Sequence, residues 1–343
     1  MRGSECGSST SGMESETSNP KPRTSNRNHG RILVAGAGAL GSVFAGFLRE
    51  RGEDVTLLGR AANMHEVAKR GLVIDGIWGE HRATGLACVT AAADLRGPFD
   101  AVLVCVKSYD TEAVAREIEP HLSERALVLS LQNGLGNVEA LEERFGAARV
   151  LGARVIFGAV LTAPGRARVT VYAEPVLIGP WQAPADDQRH DEARSWAELF
   201  AACGIPSEAT ERLQAALWAK VFYNAALNPL GALLGVHYGA LPERPEVRAV
   251  MDGVIDEAFA VAVAERVDLP WPDAAGYRAL FYEKLVPSTS DHRSSMLQDL
   301  ERGRRTEVDA INGAVWRRGV MHGIATPYNE TLTRLMQSRA LGA

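Results

Sequence analysis

The sequence predicts an α/β chain in which a doubly wound N-terminal domain is followed by an all-helical C-terminal domain. Three observations predict it. Short apolar runs alternate with helical patterns over the first half of the chain, and strands alternating with helices build a parallel sheet. A glycine-rich turn at 36–41 joins the first apolar run to the first helical pattern. Beyond about Arg212 the strand patterns vanish, and helical patterns punctuated by Pro242, Pro245, Pro270, Pro272, Pro287 and Pro327 take over.

Each element follows from its residues. Arg31 to Ala35 is a short apolar run ending in glycines and reads as a buried parallel strand. Leu40 to Arg51 reads as a helix that Gly52 stops. Asp54 to Leu58, Ala101 to Val106 and Ala126 to Leu131 read as further strands, with a helix over Thr111 to Ile118. Leu151 to Val160 and Ala167 to Tyr172, parted by Pro164-Gly165, read as strands that extend or edge the sheet. Polar Gln182 to Arg189 reads as a loop. Helices are predicted over Leu213 to Asn228, Val247 to Glu265, Asp291 to Leu300, Glu307 to His322 and Tyr328 to Ser338.

At 343 residues the chain is too long for one ordinary core. The expected division is an extension without a core over 1–29, a sheet domain over 30–207 and a helical domain over 208–343. Residues 1–29 are rich in Ser, Thr, Asn, Gly and Pro with almost nothing to bury. A formal net charge of -5 gives no global reason for nucleic-acid binding. Cys6, Cys88, Cys105 and Cys203 form no CxxC pair, so buried free thiols in a reducing, cytoplasmic compartment are expected. No metal site is expected. No apolar run reaches the ~18–20 residues of a membrane span, and no secretory signal is evident.

The glycine turn carries the first chemistry. Gly36-Ala37-Gly38-Ala39-Leu40-Gly41 matches GxGxxG between a strand and a helix, with a second strand close behind. Gly36 permits the tight turn, Gly38 lets the backbone approach a pyrophosphate, and Gly41 lets helix and strand pack closely. The helix start then offers free N–H groups to phosphate charge. This is the dinucleotide fingerprint of a Rossmann-type domain; a bare glycine turn is the alternative. The second strand ends Leu57-Leu58-Gly59-Arg60, with no acid for a ribose hydroxyl. Arg60 can pair with a 2′-phosphate, so NADP(H) is expected over NAD; a solvated surface Arg is the alternative.

Lys107 follows a strand end, where open α/β sheets place their ligands, though a lysine there can also snorkel to solvent. Asn133 in LQNGLG also leaves a strand end, as a crevice residue or a turn residue. In the apolar segment Leu213 to Asn228, Lys220, Asn224 and Asn228 stand at i, i+4 and i+8 on one face. That row lines a polar cleft or meets solvent, and a partly desolvated lysine can donate protons near neutral pH. Pro229 predicts that this helix ends or kinks at Asn228. Ser294 and Ser295 offer hydroxyls suited to a carboxylate. Thr306, Glu307 and Asp309 fit the start of a helix as a variant capping box, which would account for Glu307 without function.

With these motifs in place, the chain resembles the ketopantoate reductases (2-dehydropantoate 2-reductases). The resemblance rests on GAGALG at 36–41, VCVKSYD at 104–110, LQNGLG at 131–136, LWAKVFYNAALNPL at 217–230 and SSMLQDLERGRRTEVDAING at 294–313. It implies reduction of 2-dehydropantoate to pantoate by NADPH, a step of pantothenate and coenzyme A synthesis. It further implies Lys220 as general acid, Glu307 as the active-site glutamate and Asn133 as a bridge between cofactor and substrate. Asn224 and Asn228 then contact substrate hydroxyls, Ser295 its carboxylate, and Lys107 and Arg60 the cofactor. The expected partner is a small 2-oxo acid, with no nucleic acid and no membrane; a homodimer is compatible with the sequence. The alternatives are the same machinery on another 2-oxo acid, or an NADPH-binding regulator without catalysis.

Overall fold

The computed structural model describes residues 29–184 and 187–340, with Met1 and Gly3. The extension expected over 1–29 and Cys6 therefore lie outside the described residues, apart from Met1, Gly3 and His29. The sheet half contains β1 (Arg31–Ala35), α1 (Ala39–Arg51), β2 (Asp54–Leu58), α2 (Ala61–Arg70), β3 (Leu72–Gly76), β4 (His81–Ala83), β5 (Ala87–Val89), β6 (Phe99–Val104), α3 (Thr111–Ile118) and β7 (Leu122–Ser130). It continues with α4 (Asn137–Phe145), β8 (Val150–Ala163), β9 (Arg166–Gly179), α5 (Arg189–Ala202) and β10 (Ser207–Ala209). The helical half contains α6 (Leu213–Leu234), α7 (Pro245–Ala264), α8 (Ala274–Leu280), α9 (Val286–Ser288), α10 (Ser295–Glu301), α11 (Asn312–His322) and α12 (Pro327–Ala340).

The ten strands of the described residues join one sheet in the order β4-β3-β9-β8-β7-β6-β1-β2-β5, with β10 also on β9. β8, β7, β6, β1, β2 and β5 run parallel. The chain moves from β1 to β2 on one side and returns to β6 on the other, so a topological switch point opens beyond the carboxyl ends of β1 and β6. β8 and β9 are longer than the sequence predicts and form an antiparallel pair inside the sheet, with the β3–β4 hairpin beyond them.

One apolar cluster packs α1 and α5 on one sheet face, through Phe44, Phe47, Trp196 and Phe200. The other joins the opposite face to the helical half, through Val102, Val128, Trp218, Phe222 and Ile255. The helices thus bury their apolar sides against the sheet as well as one another.

Three predicted helix boundaries are corrected. α6 does not stop at Asn228 but runs through Pro229 to Leu234. Proline removes the donor that would meet the carbonyl four residues back; Asn312 Nδ2 donates to that Ala225 carbonyl at 3.0 Å instead. The segment from Glu307 does not open a helix. Val308–Ala310 forms a 3-10 turn without a side-chain cap, and α11 begins only at Asn312. The buried Thr306 therefore forms no capping box, and Asp309 pairs with Arg305 instead. α10 begins at Ser295, capped by Ser294, whose Oγ accepts from Leu297 N at 3.0 Å. Cys88, Cys105 and Cys203 are free thiols, as expected, but each is half-buried rather than fully so.

Candidate active site

The glycine loop is shaped around open space on one side and crowded on the other. Gly36 has φ +114°, and a Cβ there would lie 2.6 Å from Val106 N. A Cβ on Gly41 would lie 2.0 Å from Gly36 O, whereas one on Gly38 meets nothing within 4 Å. α1 follows Gly38 with no side-chain cap and no acid in its first turn. The backbone is therefore bare where a phosphate approaches, and the N–H groups of the first turn remain free donors. Ala37 is held by Asn63, whose Nδ2 donates to Ala37 O at 2.9 Å. Arg60 is exposed at the start of α2, beside this loop's neighbour Gly59. Among the described residues it forms no ion pair, so its guanidinium is free for an anion. These features fit a dinucleotide carrying a 2′-phosphate: the loop would hold the pyrophosphate and Arg60 the ribose phosphate.

At the carboxyl end of β7, Gln132 Nε2 donates to Val106 O at 3.0 Å and to Thr111 Oγ1 at 2.7 Å. Asn137 Nδ2 donates to Asn133 O at 2.8 Å. Gly134 carries φ +87°, and a Cβ there would lie 2.4 Å from Ala310 O, so sheet and helices close on this turn. The result aims Asn133 at α6: Lys220 Nζ donates to Asn133 Oδ1 at 2.5 Å and to the Val155 carbonyl. Burial pushes the Lys220 ammonium down to about 7; the charge of Arg154 acts the same way and Glu307 opposes it. Lys220 is thus a desolvated cation poised to release a proton near neutral pH.

Lys107 sits past the end of β6 and reaches the helical half. Its Nζ donates to Asp299 Oδ2 at 2.8 Å and Glu307 Oε2 at 3.0 Å, and Ser108 N donates to Glu307 Oε1 at 3.1 Å. Desolvation acts to lower the proton affinity of Lys107, but the two carboxylates together outweigh it and raise it. Asp299 is buried and lies one turn beyond Ser295 on α10. Sequence reasoning missed it as a site residue; its i+4 spacing from Ser295 was the available signal.

The rest of the polar row is inside the protein, so the solvent-facing alternative fails. Asn224 is buried, and Asn228 accepts from the Tyr238 hydroxyl at 2.5 Å while its carbonyl accepts from Ser294 Oγ at 3.1 Å. Ser295 is exposed at the start of α10. The structure thus brings Asn133, Lys220, Lys107 and Glu307 together beside the switch point, with Gly36 to Gly41 and Arg60 along the strand ends. A cavity of about 790 Å³ elsewhere, between Glu139 and Arg318, is lined by none of these residues.

Both halves of the chain are similar to known proteins. Residues 32–183 match the family model described as ketopantoate reductase PanE/ApbA, and residues 212–340 match its C-terminal counterpart. The 2-dehydropantoate 2-reductase of Aquifex aeolicus is 36% identical over 311 residues, covering 91% of this chain and 97% of that one. The crystal structure of 2-dehydropantoate 2-reductase from Geobacter metallireducens GS-15 superposes with TM-score 0.81 at 30% identity, covering 90% of this chain and 99% of that one. A ternary structure of D-mandelate dehydrogenase with NADH and anilino(oxo)acetate superposes with TM-score 0.80 at 26% identity, covering 91% and 99%. With both halves matched and the glycine loop, Asn133 and Lys220 assembled at the strand ends, the chain belongs to the ketopantoate reductase PanE/ApbA family.

Proposed function

We propose that the protein reduces 2-dehydropantoate to pantoate with NADPH, a step of pantothenate and coenzyme A synthesis. The observation that carries this reading is Lys220, held by Asn133 and the Val155 carbonyl at the meeting of sheet and α6 with its proton affinity near neutrality. When bound, NADPH supplies the hydride for the carbonyl carbon. Lys220, as the ammonium, stabilises the charge that grows on the ketone oxygen and delivers its proton there. Asn133 fixes the position of Nζ before and during that transfer. Glu307, held by Lys107 and Ser108 N, accepts a hydrogen bond from a substrate hydroxyl and faces the ammonium. Asn224 and Asn228 face the substrate from the same side of α6, Ser295 from the start of α10. Gly36 to Gly41 and Arg60 hold the phosphates of the cofactor. Lys107 anchors the cofactor end of the crevice to the helical half.

The same reading makes the sheet part, 30–207, the cofactor domain and the helical part, 208–343, the substrate domain. It places the enzyme in the cytoplasm; in the described residues no helix is long and apolar enough to cross a membrane. A homodimer is the assembly to test by sedimentation. Likeness to a D-mandelate dehydrogenase favours one second reading, the same chemistry on another 2-oxo acid. Following NADPH oxidation by absorbance tests both, with 2-dehydropantoate beside a panel of 2-oxo acids and NADH as control. Fast turnover of 2-dehydropantoate with NADPH is expected. Turnover of another acid alone would move the substrate assignment, and tight NADPH binding without turnover would favour a regulator.

A further inference from the structure

β8 outruns its parallel neighbour at the crevice. Its last partner on β7 is Ser130, opposite Gly152; Ala153, Arg154 and Val155 continue past that point, beside the end of β7 that carries Asn133. The Val155 carbonyl is one of the two groups that hold Lys220. A Cβ on Gly152 would lie 2.7 Å from Leu213 of α6, and strand alternation puts Arg154 on that same face. Arg154 is thus on the α6 side of the sheet, next in sequence to a residue that grips the α6 lysine.

The Arg154 guanidinium is only partly used. Its side chain is 11% exposed, with Nη2 2.5 Å from Glu174 Oε2 and 3.4 Å from the Pro175 carbonyl. Its Nε is buried with no hydrogen-bond partner among the described residues. Glu174, by contrast, is 49% exposed and free to turn to water. Two cations, Arg154 and Lys220, therefore share one end of the site, and one keeps an unused buried donor.

We propose that Arg154 is a specificity-determining residue that binds the carboxylate of the 2-oxo acid, exchanging Glu174 for the substrate. In a 2-oxo acid the carboxylate is bonded directly to the carbonyl carbon, so a ketone oxygen at Lys220 brings the carboxylate to the neighbouring cation. The planar fork of Arg suits a carboxylate in two-point contact, and the free Nε supplies one of those donors. Ser295, exposed on α10, offers a hydroxyl but no charge. The inference rests on the reading of the protein as a 2-oxo acid reductase.

The test compares the 2-oxo acid with its carboxamide, in wild type, R154M, R154K and E174Q, with NADPH dissociation constants measured alongside. Wild type is expected to prefer the acid by a wide margin. R154M should raise KM for the acid about 30-fold, leave the amide nearly unchanged, and bind NADPH as before. E174Q, which removes the competing carboxylate, should lower KM for the acid and not for the amide. An R154M protein that binds NADPH normally yet keeps the full preference for the acid overturns the proposal. If R154M does not fold, equal effects of E174Q on acid and amide overturn it instead. Failure of the wild type to reduce any 2-oxo acid is a separate outcome and defeats the underlying functional reading.

Discussion

Lys107 and Glu307, 200 residues apart in sequence, meet at 3.0 Å across the junction of sheet and helices, with Asp299 on the other side of the ammonium at 2.8 Å. The pair ties the crevice end of β6 to the segment before α11. The Glu307 carboxylate is thus oriented by groups of the other half, Lys107 and Ser108 N.

This arrangement ranks the substitutions around it. E307Q is expected to lower kcat/KM about 100-fold, because the charge facing Lys220 and the substrate hydroxyl goes. D299N should cost less, since Lys107 keeps Glu307. Steady-state kinetics with both variants check the order. A larger loss in D299N would mean that anchoring Lys107 matters more than the direct contact of Glu307.

The proposed role of Lys220 as proton donor predicts the pH dependence. As proton donor it must carry its proton, and its affinity lies at about 7. Log kcat should therefore fall with slope near minus one as pH rises above about 7, and K220A should lose about 10²–10⁴-fold. Stability moves the other way. The folded-state affinity is depressed from the ordinary lysine value of 10.5, so between about 7 and 10.5 the unfolded chain binds more protons and stability rises with pH. The Tm difference between wild type and K220M should change as pH goes from 6 to 9, with wild type gaining on the variant; a constant difference would show that Lys220 is not desolvated.

Arg60 should separate the two nicotinamide cofactors. R60A is expected to weaken NADPH binding by about 1–2 kcal/mol, roughly 5- to 30-fold, while leaving NADH unchanged. Fluorescence titration with both cofactors reads this directly. Equal losses for both would place Arg60 away from the 2′-phosphate.

Asn312 should matter to stability rather than to chemistry. It is fully buried and supplies the Ala225 carbonyl with the donor that Pro229 lacks. N312L is expected to cost about 1–3 kcal/mol by leaving that carbonyl unpaired. The P229A/N312L double variant should recover part of the loss, because alanine restores the backbone donor. Denaturant unfolding of the four proteins closes the cycle.

Much of the site is visible in the chain because its pieces are local. The loop from Gly36 to Gly41 shows itself by spacing between a strand and a helix, and the row Lys220, Asn224, Asn228 by helical period. What escaped were groups whose importance comes from a distant partner. Asp299 gains its place only when α10 packs beside β6, and Arg154 only because β8 outruns β7 beside α6. Spacing alone reads Glu307 as a helix start, because Thr306 and Asp309 fit a local cap; the family resemblance singled it out, and the structure gives its carboxylate to Lys107 and Ser108.

The boundary of α6 makes the same distinction in backbone terms. Local chemistry at Pro229 argues for a helix end at Asn228, and no residue within reach in sequence argues otherwise. The donor that lets the helix continue comes from Asn312, 87 residues from the carbonyl it satisfies. By itself, then, the sequence determined the alternating sheet half, the phosphate loop, the helical second half and the lysine row, since each follows from periodicity, turn chemistry or spacing within one segment. Tertiary structure alone decided where α6 ends, which carboxylates surround Lys107 and how far the proton affinity of Lys220 falls. Those depend on burial, and on hydrogen bonds and charges brought together from segments far apart in the chain.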